Sequence, residues 1–172
     1  MLIRRATTDD IPGLARVHRE TWQATYRGMV PDEYLDGLTD EKSIGFWERI
    51  FANDSRPGVE FVALDRERVV GFVTGGPARD IPGIDGEIYA LYLLPDAQGN
   101  GIGRGLMNRI VEWLRSEGHT SWGVWVLVDN PTRTFYSHLG GRPTELKTIR
   151  IAGTELVEEL YVWDAVAPPA EL

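Results

Sequence analysis

Apolar positions in the first fifty residues recur every three to four. Leu14, Val17, His18, Thr21, Trp22, Thr25 and Tyr26 fall on one face, the period of a half-buried helix. Before them, residues 2–6 alternate loosely and read as a strand. Thr8 and Asp9 offer a helix cap, Pro12 sits early in the helix, and Gly28 ends it. Pro31-Asp32-Glu33 opens a short second helix through Tyr34, Leu35 and Leu38. Residues 40–52 carry Ile44, Trp47, Ile50 and Phe51 and predict a third.

From residue 59 the period changes. Residues 60–64 and 68–74 are β-rich runs joined at Asp65-Arg66-Glu67, a hairpin. A Pro/Gly loop follows over 80–86. Residues 87–94 form a nearly continuous apolar strand, the pattern of a strand buried on both faces, and Pro95 ends it. After a glycine-rich turn comes a helix over 102–117, closed by Gly118. A buried strand spans 122–128, a short helix 132–139, and two last strands 146–151 and 156–163 flank Ala152-Gly153-Thr154. This order predicts an α/β fold. A mixed sheet of about seven strands is flanked by helices, with one strand–loop–helix–strand unit at its centre, expected as a right-handed parallel crossover.

A length of 172 residues suits one domain, expected over 1–165. A flexible tail is expected over 166–172, where Pro168 and Pro169 stop regular structure. A net charge of −8 argues against nucleic acid, whose binding rests on phosphate neutralisation, and against an anionic membrane. It suits a cationic acceptor such as an amine. The chain has no cysteine, which excludes disulfides, thiolate zinc sites and a cysteine nucleophile. The N-terminus lacks a signal-peptide core and the longest apolar run is far short of a membrane span, so the expected location is cytoplasmic. His18, His119 and His138 show no zinc-ligand spacing, and no metal is expected. There is no G-x-S-x-G nucleophile elbow. Trp122, Trp125 and Trp163 fall on predicted strands as core or interface residues.

The segment Leu93-Leu94-Pro95-Asp96-Ala97-Gln98-Gly99-Asn100-Gly101-Ile102-Gly103-Arg104-Gly105 carries the chemistry. Alternating glycines stand where a buried strand turns into a helix. Glycine lets backbone approach a ligand closely, and a helix start offers unpaired N–H groups and a favourable dipole to a pyrophosphate. Arg104 adds a cation. The spacing is neither G-x-G-x-x-G, since the sixth position is Arg104 or Leu106, nor G-x-x-x-x-G-K-[ST]. NAD and ATP are disfavoured.

The stretch Gln98-Gly99-Asn100-Gly101-Ile102-Gly103 resembles the acetyl-CoA signature of the GCN5-related N-acetyltransferases (GNAT), Gln/Arg-x-x-Gly-x-Gly/Ala. A second signature of that family, Asn-x-x-Ala-x-x-Phe-Tyr-x-x-x-Gly-Phe, is approximated by Asn130 to Gly141 around Phe135-Tyr136. Two features depart from it: Asn130 precedes Tyr136 by six residues rather than seven, and Gly141 replaces the usual Phe. The predicted element order matches the family fold over nearly the whole chain.

The resemblance implies direct acetyl transfer from acetyl-CoA to an amine of a small, polyamine-like molecule or of a peptide. The backbone of Leu91, Tyr92 and Leu93 would pair with the pantetheine arm. The backbone N–H groups from Gly99 through Asn100, Gly101, Ile102 and Gly103 to Arg104 would hold the pyrophosphate, Gln98 would open the loop, and Asn130 is a further cofactor-binding candidate. An amine with a pKa near 10.4 must lose a proton before it attacks. Glu87 is the candidate base, expected to share one strand face with Tyr89, Leu91 and Leu93; the alternative is a Glu neutralised by a neighbouring Arg. Tyr136 is the candidate acid for the departing thiolate; the alternative is a core aromatic. Trp22, Tyr26 and Tyr34 are the candidate acceptor site, by cation–π contact or else as core. Asp32, Glu33 and Asp36 could attract a polyamine or merely cap a helix. The loop 78–86 reads as a lid over the acceptor or as an inert connection.

The runner-up reading is a non-catalytic acyl-CoA-binding or regulatory module of the same fold. A third is a member of the family using a longer acyl donor or acylating a hydroxyl. Exposed sheet edges and abundant Trp make a homodimer an expectation.

Overall fold

The computed structural model describes residues 1–53 and 55–164; the expected tail over 166–172 lies outside the described residues. β1 (Leu2–Arg5) leads through one 3-10 turn into α1 (Ile11–Thr25), α2 (Asp32–Asp36) and α3 (Asp40–Phe51). The hairpin β2 (Val59–Asp65) and β3 (Arg68–Pro77) follows, then β4 (Gly86–Leu93), α4 (Ile102–Ser116), β5 (Ser121–Leu127), α5 (Thr134–His138), β6 (Arg142–Ile151) and β7 (Thr154–Asp164). One seven-stranded sheet has the order β1-β2-β3-β4-β5-β7-β6. Every neighbouring pair is antiparallel except β4 and β5.

Helices cover both faces. On β3, Phe72 packs edge-on against Trp47 of α3 and His18 of α1. Gly75, on the opposite face, lies close beneath Ile110 of α4. The main core joins α1, α4 and the central strands, with Leu14, Val17, Phe72, Leu106, Ile110 and Trp122 fully buried. A smaller cluster of Tyr26, Val30, Leu35, Leu127 and Leu156 seats the helical insertion against β5 and β7.

Element order and number agree with the sequence expectation; several bounds differ. β6 begins at Arg142, not near 146, because its first half is held by pairing to β7 while its side chains stay exposed and polar. An apolar pattern could not reveal it. Pro143 is tolerated there because β6 is an edge strand.

The centre of the sheet matters most for function. Parallel β4 and β5 pair only at Gly86↔Trp122 and Glu87↔Gly123. Beyond that point β4 stays with β3 as far as Leu93, and β5 stays with β7 as far as Leu127. A gap opens between two strands that each keep an outer partner. Its start coincides with a bulge: Thr74 pairs with Ala90 and Gly75 with Ile88, leaving Tyr89 unmatched. A bulge bends and twists its strand. The expectation that β4 is buried along its length is thereby corrected. Gly86, Glu87 and Ile88 are buried, whereas Tyr89 through Leu93 are only half-buried, because they border the gap.

Candidate active site

The gap widens into a cavity of about 550 Å³. One wall is β4 from Tyr89 to Leu93. The facing wall is Val124 to Leu127 of β5. The glycine loop closes one end with Gln98, Gly99, Gly101, Gly103 and Arg104, and Asn130, Thr132, Phe135 and Tyr136 line it from the α5 side. Trp22, Thr25, Tyr26, Ile151 and Glu158 complete the wall.

The glycine loop is built as its composition demands. Gly99 and Gly101 have φ of +76° and +75°, with open space where a side chain would project. Gly101 caps α4, and the first bond of the helix runs from the Gly105 N–H to the Gly101 carbonyl. The N–H groups ahead of Gly105 therefore have no carbonyl of their own helix to meet, and the positive end of the helix dipole faces the cavity. The Gln98 side chain donates back to the Leu93 carbonyl at 3.3 Å, tying the loop to the end of β4. A nucleotide pyrophosphate with a slender acyl-carrying arm fits this set. The loop supplies N–H donors and Arg104, and the arm can run along strand edges that lack a sheet partner between them.

Most expected cofactor residues converge here: Leu91, Tyr92, Leu93, Gln98, Gly99, Gly101, Gly103, Arg104 and Asn130 all line the cavity. Asn100 and Ile102 do not. Asn100 bonds the Gln98 carbonyl at 3.0 Å, and Ile102 is buried in the core. Asn130 accepts bonds from the Thr132 N–H and hydroxyl at 2.9 and 2.8 Å, so it shapes the turn leading into α5.

Tyr136 lines the cavity and packs against Phe135, Tyr161 and Trp163. Burial, reinforced by Tyr92, pushes its phenol well above the ordinary tyrosine range. Its hydroxyl is thus protonated at any ordinary pH and able to donate. Across the cavity, Trp22 Nε1 donates to the Tyr92 hydroxyl at 3.0 Å. Tyr26 shares a hydrogen bond with Tyr92, and its own phenol is raised by burial and then by Tyr92, Tyr136 and Glu158. Tyr26 thus lies within electrostatic reach of both Tyr136 and Glu158.

Glu87 is placed differently. The bulge reverses the alternation of β4. Glu87 shares its face with Ala90 and Tyr92, while Ile88, Leu91 and Leu93 look the other way. The expectation that Glu87, Tyr89, Leu91 and Leu93 lie on one face is corrected accordingly. The Glu87 carboxylate does not line the cavity. It accepts from the Arg79 N–H at 2.8 Å, from Nε at 3.2 Å and from Nη2 at 2.8 Å, and its side chain is 5% exposed. The Arg79 guanidinium also lies 4.0 Å over the Tyr89 ring.

The loop over 78–85 is pinned at both ends. Asp85 accepts from the backbone N–H and hydroxyl groups of Thr120 and Ser121. Burial opposes ionisation of Asp85, but these four bonds outweigh it and hold the carboxyl down at about 2. Ile81 packs on Leu160 and Val162, with Trp125 alongside. Trp22 and Tyr26 line the cavity, but Tyr34 is 40% exposed and only flanks Trp22. Arg27 pairs with Asp32 and Asp36.

The site residues expected from sequence left out part of the wall, Tyr89, Trp125 and Glu158 among it. Glu158 had a signal. It falls on the same face of β7 as Leu156, Leu160 and Val162, a carboxylate interrupting an apolar row. It is the one carboxylate lining the cavity among the described residues. Among those residues no group of His and acidic side chains is placed to hold a metal, and no helix is long and apolar enough to cross a membrane.

A family model described as the acetyltransferase (GNAT) family matches residues 16–140. The chain is 36% identical over 163 residues to YuaI of Bacillus subtilis, an uncharacterized N-acetyltransferase, covering 94% of this chain and 91% of that one. Its fold is similar to a ribosomal-protein-alanine N-acetyltransferase from Brucella melitensis, with TM-score 0.74, 22% identity, and 95% and 99% of the two chains covered. It is also similar to the PaiA N-acetyltransferase of Thermoplasma acidophilum in complex with coenzyme A, with TM-score 0.66, 21% identity and coverage of 92% and 96%. With the splayed strands and the glycine loop between them, the chain belongs to the GNAT family of acetyltransferases.

Proposed function

We propose that this enzyme transfers acetyl from acetyl-CoA directly to a primary amine, carried by a compact polyamine-like molecule or by a peptide. The observation that carries the reading is the cavity between β4 and β5. It is lined by a glycine loop of the pyrophosphate type, by a protonated tyrosine and by a carboxylate. Acetyl-CoA would supply the activated acyl group. The N–H groups around Gly99 to Arg104 hold its pyrophosphate, and the open edge of Leu91 to Leu93 orients its arm. Tyr136 gives its proton to the departing thiolate. Trp22, Tyr26 and Trp125 supply aromatic faces for a cationic acceptor, and Glu158 attracts its ammonium and takes the proton that must leave before attack.

In this reading Glu87 is a positioning residue. Through Arg79 it holds the start of the 78–85 loop, and through that loop the Trp125 side of the cavity. A homodimer and a cytoplasmic location belong to the same reading, the first resting on exposed Leu146 and Val157 of paired strands β6 and β7.

The test is thiol release from acetyl-CoA with spermidine and with an alanine-headed peptide, alongside calorimetric titration of acetyl-CoA. Tyr136→Phe is expected to keep acetyl-CoA affinity and lose roughly a hundredfold in kcat, the scale of one general acid. Full turnover in that variant would remove Tyr136 from the chemistry. Binding without turnover of any amine would favour the runner-up, a non-catalytic acyl-CoA module.

A further inference from the structure

Lys147, on β6 opposite Glu158 of β7, does not itself line the cavity but sets its ammonium against two side chains that do. Its Nζ is 3.3 Å from the Glu158 carboxylate and 3.8 Å from the centroid of the Trp125 ring. Both partners line the cavity. A carboxylate and an indole face are the two groups that recognise a primary ammonium, and here they already hold one. The lysine side chain is 41% exposed, so its stem can move. Only one other lysine exists in the chain, Lys42. It lies on α3, where its Nζ donates to the Gly37 carbonyl at 2.9 Å.

We propose that Lys147 is a self-acetylation site: its amine occupies the acceptor position and takes the acetyl group of bound acetyl-CoA when no outside amine is present. This rests on the acetyl-CoA reading above. Lys147 Nζ loses a proton to the Glu158 carboxylate, which passes it to solvent. The lone pair so exposed forms the N–C bond to the thioester carbon, the attacking nitrogen gives its second proton to Glu158 and thence to solvent, the C–S bond breaks, and the thiolate takes the Tyr136 proton, which solvent replaces. The products are Nζ-acetyl-Lys147 and CoA; nothing is oxidised or reduced. Tethering the amine to side chains of the cavity wall makes the step unimolecular. The product amide carries no charge, which leaves Glu158 to the ammonium of an outside acceptor.

The experiment incubates the full chain with deuterated acetyl-CoA and follows intact mass and peptide maps, so that acetyl acquired during expression is told apart. The expected result is one deuterated acetyl group on Lys147, formed at a rate per molecule independent of protein concentration. Lys147→Arg, which keeps a cation for Glu158 and Trp125, is expected to abolish the mass gain, and Tyr136→Phe to slow it at least tenfold. If the purified wild type is already acetylated, acetyl on Lys147 that disappears in Tyr136→Phe expressed alongside it supports the proposal equally.

Equal labelling of Lys42 and Lys147 would mean plain chemical acetylation and overturn the proposal. So would a rate per molecule that rises with protein concentration. An unlabelled Lys147 in a protein that binds acetyl-CoA and acetylates spermidine or the peptide would overturn the proposal and leave the enzymatic reading intact. Failure to bind acetyl-CoA would remove both.

Discussion

The Glu87 carboxylate is buried, whereas Arg79, which holds it, reaches solvent. Glu87 is the base that the family resemblance implies, yet its carboxylate is wrapped by Arg79. Replacing it removes the buried charge of a pair whose other member, Arg79, is 63% exposed and can turn to water, so the expected cost is moderate. Glu87→Gln should lower stability by about 1–3 kcal/mol, the range for a buried charged hydrogen bond, read as a fall in melting temperature. The pH profile of kcat/KM should keep its shape. Loss of the acid limb of that profile would instead make Glu87 the base.

At the scale of elements, β4 joins cavity and core. Its cavity-facing stretch is backed by β3, and the contact is tightest at Gly71. A Cβ there would meet the Leu93 side chain and stand 2.8 Å from the Tyr92 carbonyl. Gly71→Ala must therefore push β4 toward the gap. The expected loss is about 1–3 kcal/mol, typical of overpacking. Weaker acetyl-CoA binding should accompany it, since Leu91 to Leu93 are the backbone on which the arm is expected to lie. Thermal melting and calorimetry on one sample check both. An unchanged affinity in a destabilised variant would show that the arm does not depend on this edge.

At the scale of the whole molecule, the helical layer is held to the sheet by an aromatic cluster around His18. Its ring stacks on Tyr92 with planes at 13° and meets Trp22, Trp47, Phe46 and Phe72 at steeper angles. Burial lowers its pKa from 6.5 to about 4. The unfolded chain therefore binds a proton before the folded one does, and stability falls as pH drops through that window. It is fully present above 6.5 and levels off below about 4. At about 1.4 kcal/mol per unit, the loss is at most roughly 3 kcal/mol. Chemical denaturation of the wild type between pH 7 and pH 4 should show this slope, and His18→Gln should flatten it. An equal slope in that variant would assign the acid sensitivity to other groups.

How much of this was legible in advance depends on range. The helices and most strands are written in local periods. Leu14, Val17 and Thr21 mark α1, and the apolar run through Ile88 to Leu94 marks β4. The glycine loop is local too: Gly99 and Gly101 have positive φ with open space where a side chain would project, so the turn itself could be read from Gln98 to Arg104 alone. What the tertiary structure decided is non-local. The bulge at Tyr89 arises from pairing with β3, and it alone turns Glu87 to the opposite face from Leu91. The gap exists because β4 and β5 keep different outer partners, β3 and β7. Glu158 comes from the last strand and reaches the cavity only because β7 lies beside β5 in the sheet, and Lys147 meets it only because β6 pairs with β7. Local sequence sets backbone preferences and hydrophobic period; which charged side chain meets which depends on register between strands far apart in the chain, which no local pattern encodes.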